Sequence, residues 1–255
     1  MKTRILQGVL LLCLCLAVVG LSRPAAVETA QWGLHFEKAG QVPTGRESMD
    51  KLREYNAYFA KDTQEKVLFL TFDLGYENGK MPAILDCLEE KGVKATFFVT
   101  GHYLDSQPDL VRQMAEQGHT VANHTVHHPD MAAVPEDTFR QELAALEEKF
   151  VEITGQQMPK IFRPPQGSYN AQCLKLAQKY GYQTVFWSVA YADWDNKSQP
   201  DPQKSVELLC KRIHPGAVVL LHGTSQTNAQ ILPQLIDRWQ QMGYRIAPIT
   251  ELFQK

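Results

Sequence analysis

From Val67 to the end of the chain, short apolar runs rich in Val, Leu, Ile and Phe alternate with longer stretches of helical period. Continuously apolar strands are typical of a parallel sheet covered by helices on both faces. Each intervening stretch is long enough for the right-handed crossover that a parallel sheet requires. The predicted strands are Val67–Asp73, Ala95–Val99, His119–His124, Ile161–Arg163, Gln183–Val189, Ala217–His222 and Tyr244–Ile249. This pattern predicts an α/β fold, a distorted and incomplete (β/α)7-type barrel of parallel strands.

Glycines mark the ends of most predicted helices, where a left-handed C-terminal cap is favoured. Gly92, Gly118, Gly155, Gly181 and Gly243 each follow a helical stretch. The predicted helices are Lys80–Lys91, Asp109–Gln117, Glu136–Ile153, Ala171–Tyr180, Pro202–Ile213 and Ala229–Met242. Residues 27–65 lack this alternation, so we predict an N-terminal extension packed on one domain at 66–255.

The N-terminus resembles an export signal. Lys2 and Arg4 precede an apolar run from Val9 to Leu21, and small residues follow up to Ala26. A charged start, a short apolar segment and small residues predict a signal peptide over 1–26, with an uncleaved N-terminal anchor as the alternative. The net charge of -2, with mixed signs, argues against nucleic acid as a partner, and we expect a monomer.

Three cysteines follow the N-terminal segment. Cys87, Cys173 and Cys210 are far apart, each lies in an amphipathic stretch, and no C-x-x-C motif occurs. A sparse, odd set of this kind does not form a disulfide framework. We expect buried thiols.

Chemically active side chains stand at the ends of predicted strands, the position where parallel barrels place their chemistry. Asp73 ends the first strand, and a carboxylate there is either a turn or cap residue or a general base. Arg163, before two prolines, can hold Asp73 ionised and orient it. His222 closes a buried run, and Asp193 can keep it protonated as a general acid.

His124 and His128 have the i, i+4 spacing of metal ligands, provided that the chain between them forms a helical turn. The alternative is two satisfied or surface histidines. His127 is out of phase and is expected to point elsewhere. Leu74 follows Asp73, where a second carboxylate would be the natural third ligand. Together these groups are those required for metal-assisted hydrolysis of an amide.

The segments Thr71–Phe72–Asp73, His124 to Pro129, Arg163–Pro164–Pro165, Asp193–Trp194 and Leu220–Leu221–His222 resemble, in order, the five motifs of the NodB-homology polysaccharide deacetylases, carbohydrate esterase family 4. The resemblance covers roughly Val67 to Phe253. More narrowly, four segments resemble the PdaA-type peptidoglycan N-acetylmuramic acid deacetylases of spore-forming Firmicutes: Thr71–Gly79, Arg163–Gly167, Val185–Val189 and Leu221–His222. The resemblance implies the NodB homology fold.

The resemblance also implies roles for individual residues. The family position occupied here by Leu74 binds metal, and leucine has no oxygen to donate, so a divalent ion such as zinc is expected to bind weakly. The implied roles are Asp73 as base with Arg163 as its partner, His222 as acid tuned by Asp193, His124 and His128 as metal ligands, and Trp194 and Leu220 as lining of the acetyl pocket. Gln166 follows the proline pair at the lip of the inferred groove, and we predict it and Tyr76 as further substrate contacts.

The implied activity is removal of the N-acetyl group from N-acetylmuramic acid in peptidoglycan, leading to muramic δ-lactam in spore cortex. Two alternatives remain: a deacetylase of another N-acetylated polysaccharide, and a catalytically silent module that binds wall glycan. The sequence retains all the residues needed for proton transfer, namely Asp73, Arg163, Asp193 and His222. This argues against a catalytically silent module. The expected location is the cell envelope or spore cortex.

Overall fold

A computed structural model of the chain describes residues 29–254. The predicted signal or anchor segment lies outside these residues. Within 29–254, no helix combines the length and the apolar character needed to cross a membrane. The strands are β1 Ala30–Gln31, β2 Leu34–His35, β3 Thr44–Gly45, β4 Ala57–Tyr58, β5 Val67–Leu74, β6 Thr96–Val99, β7 Thr120–Asn123, β8 Ile161–Phe162, β9 Ser168–Tyr169, β10 Gln183–Val185, β11 Ala217–His222 and β12 Arg245–Ile246.

The helices are α1 Met49–Arg53, α2 Met81–Glu90, α3 Gly101–Ser106, α4 Pro108–Glu116, α5 Glu136–Thr154, α6 Ala171–Lys179, α7 Pro202–Arg212 and α8 Gln226–Gln241. Helices α2 to α8 lie between successive strands of the main sheet, and α1 precedes β4. Two short 3-10 segments, Pro165–Gly167 and Ile249–Phe253, complete the secondary structure of the described residues.

The main sheet runs in the order β11-β5-β6-β7-β8-β10-β4, with every neighbouring pair parallel, and β12 pairs with the start of β5. It curls into a half-barrel with helices on its outer face. The predicted α/β fold of parallel strands is confirmed.

The two faces of β5 show how the core is divided. Val67 and Phe69 belong to the cluster inside the barrel, whereas Leu70, Phe72 and Leu74 belong to the cluster beneath the helices. Side chains of a strand alternate between faces. Asp73 therefore shares the inner face with Val67 and Phe69, while Leu74 lies on the helical side.

The chain that follows β10 is irregular and reaches β11 directly. The predicted strand Gln183–Val189 is regular only to Val185, and the residues after it cross to β11, where the Leu220 N–H donates to the Val189 carbonyl over 2.8 Å. The Ser188 hydroxyl accepts from the Val218 N–H over 3.0 Å, replacing a ladder bond. The strand stops early because its partner changes from β8 to β11.

Residues 29–65 contribute to the sheet as well as to the surface. β4 pairs in parallel with β10, and β1 pairs with β9 in antiparallel register. Both strands are two residues long, too short for a periodic signal. The domain boundaries at 27–65 and 66–255 remain predictions.

Helix α3 was not predicted from the sequence. It has six residues and is capped by Thr100, whose hydroxyl accepts from the Tyr103 N–H over 3.3 Å. Helix α8 begins three residues before the predicted Ala229, because Ser225 accepts from the Asn228 N–H and caps the helix there. The free cysteines Cys87 and Cys173 are buried, and Cys210 is partly buried.

Gly216, the residue before β11, lies so close to the chain at Lys61 that a side chain does not fit there. It has a φ of 76° and accepts from the Lys61 N–H over 2.8 Å, and a Cβ there would collide with the Lys61 carbonyl. Gly155 has a similar φ of 69° but open space around it. We expect Gly155→Ala to lower the free energy of unfolding by about 1 to 2 kcal/mol, the cost of left-handed backbone, and Gly216→Ala to lower it substantially more. Urea unfolding of both variants tests this, and equal losses would contradict it.

Candidate active site

Asp73 lies at the end of the inner face of β5, next to a buried guanidinium. Arg163 Nη1 donates to Asp73 Oδ1 over 2.6 Å, and Arg163 Nη2 donates to the Thr71 hydroxyl over 2.9 Å. The Asp73 side chain keeps 11% of its surface exposed, while that of Arg163 is fully buried. One carboxylate oxygen is therefore paired, and the carboxylate remains open to the cavity.

Main-chain carbonyls accept further hydrogen bonds from the Arg163 guanidinium. Arg163 Nε donates to the Val185 carbonyl over 3.0 Å, Nη2 also donates to the Phe186 carbonyl, and the group lies 4.0 Å from the centre of the Phe98 ring. Burial raises the pKa of Asp73, but the charge of Arg163 and, less strongly, of His124 more than offset it. The net effect is a lowered pKa, so Asp73 is ionised at neutral pH.

His124 and His128 converge, but not through the helical turn expected from their spacing. The chain between them is an irregular loop in which Thr125 and His128 have φ values of 69° and 56°. The Thr125 hydroxyl accepts from the His128 N–H over 3.0 Å and so supports the loop backbone. The two ring centres are nevertheless 4.9 Å apart.

The tautomer of His124 suits a metal ligand. Its Nδ1–H donates to the Arg163 carbonyl over 2.8 Å, which leaves Nε2 unprotonated and 3.7 Å from Asp73 Oδ2. Burial lowers the pKa of His124 to about 4, so the ring is neutral at pH 7. Burial lowers the pKa of His128 as well.

The third ligand position differs from that of a full metal site. Leu74 is completely buried among apolar side chains, against Met81 and Gly223, and does not line the cavity. Residues 29–254 contain no group of three His, Cys, Asp or Glu side chains placed to hold one ion. The donor set thus fits a divalent ion held by two imidazoles, with fewer protein ligands than a typical catalytic zinc site.

His222 forms the opposite side of the site and is clamped by a buried carboxylate. Its Nδ1–H donates to Asp193 Oδ1 over 2.7 Å, and its backbone N–H donates to Asp193 Oδ2 over 2.8 Å. Asn228 also donates to Asp193, over 2.6 Å, and Tyr191 donates in turn to Asn228. This chain of hydrogen bonds holds the imidazole with Nε2 free.

A cavity of about 680 Å³ contains these groups. Asp73, His124, His128 and His222 all line it. Of the predicted substrate contacts, Trp194, Leu220 and Gln166 line this cavity, whereas Tyr76 lines a neighbouring groove. Asp193 and Arg163 do not line the cavity. Asp193 is hydrogen-bonded to His222, and Arg163 is hydrogen-bonded to Asp73.

Comparison with known proteins agrees with this arrangement. A family model described as polysaccharide deacetylase matches residues 60–185. The chain is 39% identical, over 244 residues, to the peptidoglycan-N-acetylmuramic acid deacetylase PdaA of Bacillus subtilis, and the match covers 93% of each chain. The chain belongs to the polysaccharide deacetylase family. It is thus a hydrolase that removes N-acetyl groups.

Other relatives of this deacetylase show how the family varies. The solved structure of B. subtilis PdaA, a family 4 carbohydrate esterase, matches with a TM-score of 0.85 at 39% identity, over 88% of this chain and 97% of that one. A peptidoglycan-N-acetylglucosamine deacetylase of Bacillus cereus is 32% identical over 80% of this chain and 74% of the relative. A family 4 pseudoenzyme from Bacillus anthracis matches with a TM-score of 0.72 at 29% identity, over 77% and 68%.

Sequence reasoning missed one wall of the deacetylase's cavity. Trp32, Leu34 and Phe36 of the N-terminal segment line it. Trp32 stacks on Phe186 at 4.7 Å, and its backbone N–H donates to the Gly167 carbonyl over 2.8 Å. Aromatic residues in 27–65 were the available signal, but nothing in the sequence places them at the cavity.

The Asp193–His222 pair gives a pH-dependent prediction. Burial lowers the pKa of His222, but the hydrogen bond and charge of Asp193, with the charge of Asp73, raise it above 6.5 overall. His222 therefore stays protonated to a higher pH than an ordinary histidine. We expect Asp193→Asn to lower the pKa of His222 and to move the alkaline limb of the rate profile to lower pH. NMR titration of the ring measures the pKa directly.

The matched control is Asn228→Ala, which removes a hydrogen bond to Asp193 but keeps its charge. We expect the pKa of His222 to remain raised in this variant. A pKa in Asp193→Asn equal to that of the parent would contradict the assignment.

Proposed function

We propose that this deacetylase removes the N-acetyl group from N-acetylmuramic acid residues of peptidoglycan. One observation carries the proposal: two ion-paired groups of opposite function, Asp73 with Arg163 and His222 with Asp193, meet in one cavity. A pure glycan-binding module requires neither pair. The 39% identity to PdaA supports the choice of muramic acid.

Asp73 acts as the general base. Its lowered pKa keeps it ionised, and Arg163 fixes one of its oxygens so that the carboxylate stays directed to the cavity. Asp73 takes a proton from a water molecule, and the water oxygen bonds to the acetyl carbonyl carbon. The result is a tetrahedral intermediate.

His222 acts as the general acid. Its Nδ1–H is engaged with Asp193, so the proton available to the substrate is on Nε2. As the bond between carbon and nitrogen breaks, His222 protonates the leaving nitrogen, and acetate and a free amine result. The charge of Asp193 stabilises the imidazolium before this transfer.

His124 and His128 would hold a divalent ion such as zinc. When bound, the ion would polarise the acetyl carbonyl. Because only two imidazoles contribute, we expect it to be held more weakly than in sites with three protein ligands. The hydrogen bond from His124 to the Arg163 carbonyl connects the loop that carries His124 and His128 to Arg163, which orients Asp73.

Trp194 and Leu220 are suited to contact the acetyl group. Leu220 is 5% exposed in the cavity, and Trp194 stands over His222 with ring centres 6.3 Å apart. An apolar wall beside the acid favours the methyl group and limits the access of bulk water. The chain is further proposed to be exported and to act at the cell envelope. In spore cortex the product amine would then close onto the lactyl carboxyl group of the same sugar, with loss of one water molecule, to give muramic δ-lactam.

The activity test uses peptide-free glycan strands. We expect Asp73→Asn and His222→Ala each to reduce acetate release by about 10² to 10⁴-fold, because one loses the base and the other the acid. Acetate assay and mass spectrometry of the strands measure deacetylation and lactam formation separately. His35→Ala, an exposed histidine outside the cavity, is the control. Near-parent rates in both active-site variants would overturn the assigned roles.

A second candidate substrate is N-acetylglucosamine, and Gln166 favours it. Gln166 is an exposed neutral amide at the cavity, whereas a cationic side chain would pair with the lactyl carboxylate of muramic acid. We expect Gln166→Arg to raise the preference for muramic over glucosamine substrates about tenfold, the worth of a charge-assisted hydrogen bond.

Gln166→Glu is the matched control, because it places a negative charge at the same position and is expected to shift the preference the other way. Competition assays with both polymers give the ratio of kcat/KM values. If neither variant changes that ratio, the lactyl group binds elsewhere.

A further inference from the structure

A small pocket of about 200 Å³ adjoins the catalytic cavity on the side of the N-terminal segment. The Phe36 ring lines both, so one aromatic side chain stands between them. No step of the mechanism above uses this pocket. The rest of its lining comes from the N-terminal segment and from the end of α7: Glu37, Lys38, Ala39, Leu208, Lys211 and Arg212.

The pocket carries an excess of positive charge. Three of its seven lining residues, Lys38, Lys211 and Arg212, are cationic, and Glu37 is the one carboxylate. No salt bridge within residues 29–254 involves any of these four side chains. Glu37 instead accepts from the Thr44 hydroxyl over 3.4 Å. The described part of the chain therefore leaves the three cations without an ion-pair partner.

Helix stability explains only part of this charge. Lys211 and Arg212 lie in the last turn of α7, where cations interact favourably with the helix dipole. Lys38 belongs to no helix. It lies beside the helix end because the Gly40 N–H donates to the Lys211 carbonyl over 3.2 Å and docks the N-terminal segment there. A cation from a separate segment is not needed to end a helix, so its presence points to a ligand.

Arg212 is fixed at the boundary between the pocket and the catalytic cavity. Its Nη1 donates to the Ala190 carbonyl over 2.5 Å, and its guanidinium lies 4.2 Å from the centre of the Phe36 ring. Ala190 and Phe36 both line the catalytic cavity. Across residues 29–254, the Arg212 side chain donates no other hydrogen bond, so Nε and Nη2 are available to a ligand. A planar guanidinium held in this way is suited to a carboxylate.

The catalytic cavity has no comparable group. Its described lining contains neither lysine nor arginine, and Asp73 within it is ionised. Its imidazoles already have roles as acid and as metal ligands. N-acetylmuramic acid carries a carboxylate on its lactyl group, and a residue that keeps its peptide stem carries carboxylates on the stem. A carboxylate of such a substrate finds uncommitted cations in the neighbouring pocket.

We propose that this pocket binds a carboxylate of the muramic acid substrate, with Arg212, Lys211 and Lys38 as its binding groups. The proposal rests on the proposed function, because it assumes a muramic residue in the catalytic cavity. The ligand is either the free lactyl carboxylate of a peptide-free residue or a carboxylate of an attached peptide stem. The pocket takes no part in proton transfer and contributes to the selection of substrate.

The test compares strands that differ in charge. The substrates are peptide-free strands, the same strands with each lactyl carboxyl group converted to a methylamide, and strands that keep the peptide stem. The kcat/KM for acetate release is measured on each, and the methylamide strand is the reference. Relative to that reference, we expect Lys38→Gln to lower kcat/KM on a carboxylate-bearing strand about threefold, as for an exposed ion pair. We expect about tenfold for Arg212→Gln, which loses a charge-assisted hydrogen bond.

Lys204→Gln is the matched control, because it removes one positive charge from an exposed position of α7 outside the pocket. We expect it to leave the ratios of kcat/KM unchanged. Glu37→Gln removes the opposing charge and is expected to raise the preference for the carboxylate-bearing strand. Added salt is expected to weaken that preference in the parent.

A second variant guards against damage to the N-terminal segment. Arg212 also contacts Phe36 and Ala190, so urea unfolding of Arg212→Gln is measured beside its kinetics. If that variant unfolds at lower urea, Lys38→Gln and Lys211→Gln decide the test, because both side chains are exposed and neither forms a salt bridge within the described chain.

The outcomes are distinct. A loss on peptide-free strands identifies the lactyl carboxylate as the ligand, a loss on peptide-bearing strands identifies a carboxylate of the stem, and each supports the proposal. Equal losses on all three substrates, or none on any, would overturn the pocket proposal while the parent's activity stands. Failure of the parent to release acetate from any strand would instead overturn the proposed function on which the pocket proposal rests.

Discussion

The buried pair of Arg163 and Asp73 is the interaction on which the catalytic end of the barrel depends. A guanidinium without solvent is costly unless its donors are satisfied. Here they reach Asp73 and Thr71 on β5 and the Val185 and Phe186 carbonyls at the end of β10, while the Arg163 carbonyl accepts a hydrogen bond from His124. One side chain therefore ties together three strand ends and orients both the base and a candidate metal ligand.

Incomplete closure of the barrel gives the site its walls. Because β10 ends at Val185 and the neighbouring two-residue β4 ends at Tyr58, irregular chain after β10 crosses to β11 and leads to Asp193 and Trp194, which flank His222. On the other side, Trp32 packs on Phe186, so the N-terminal segment becomes part of the cavity. The substrate surface is thus assembled from irregular segments, while the reactive groups lie on or beside strands.

Local sequence pattern determined the larger elements and the position of the base. Long apolar runs and glycine caps predicted most strands and helices to within a few residues, since these signals act over short distances. The two-residue period of β5 places Asp73 inward and Leu74 outward, because a strand's side chains alternate between faces. Two-residue strands such as β4 carry no period, and α3 has too few residues for one, so neither could be predicted.

Only the tertiary structure decided which side chains meet. His124 and His128 approach each other through left-handed backbone at Thr125 and His128, a geometry that their spacing does not encode. Glu142 lies on α5 and forms a hydrogen bond with His127 because α5 packs against the loop that carries His127. The sequence contained the chemical groups and their order along the chain. Their pairing depended on long-range packing, which brings together residues that no local period relates.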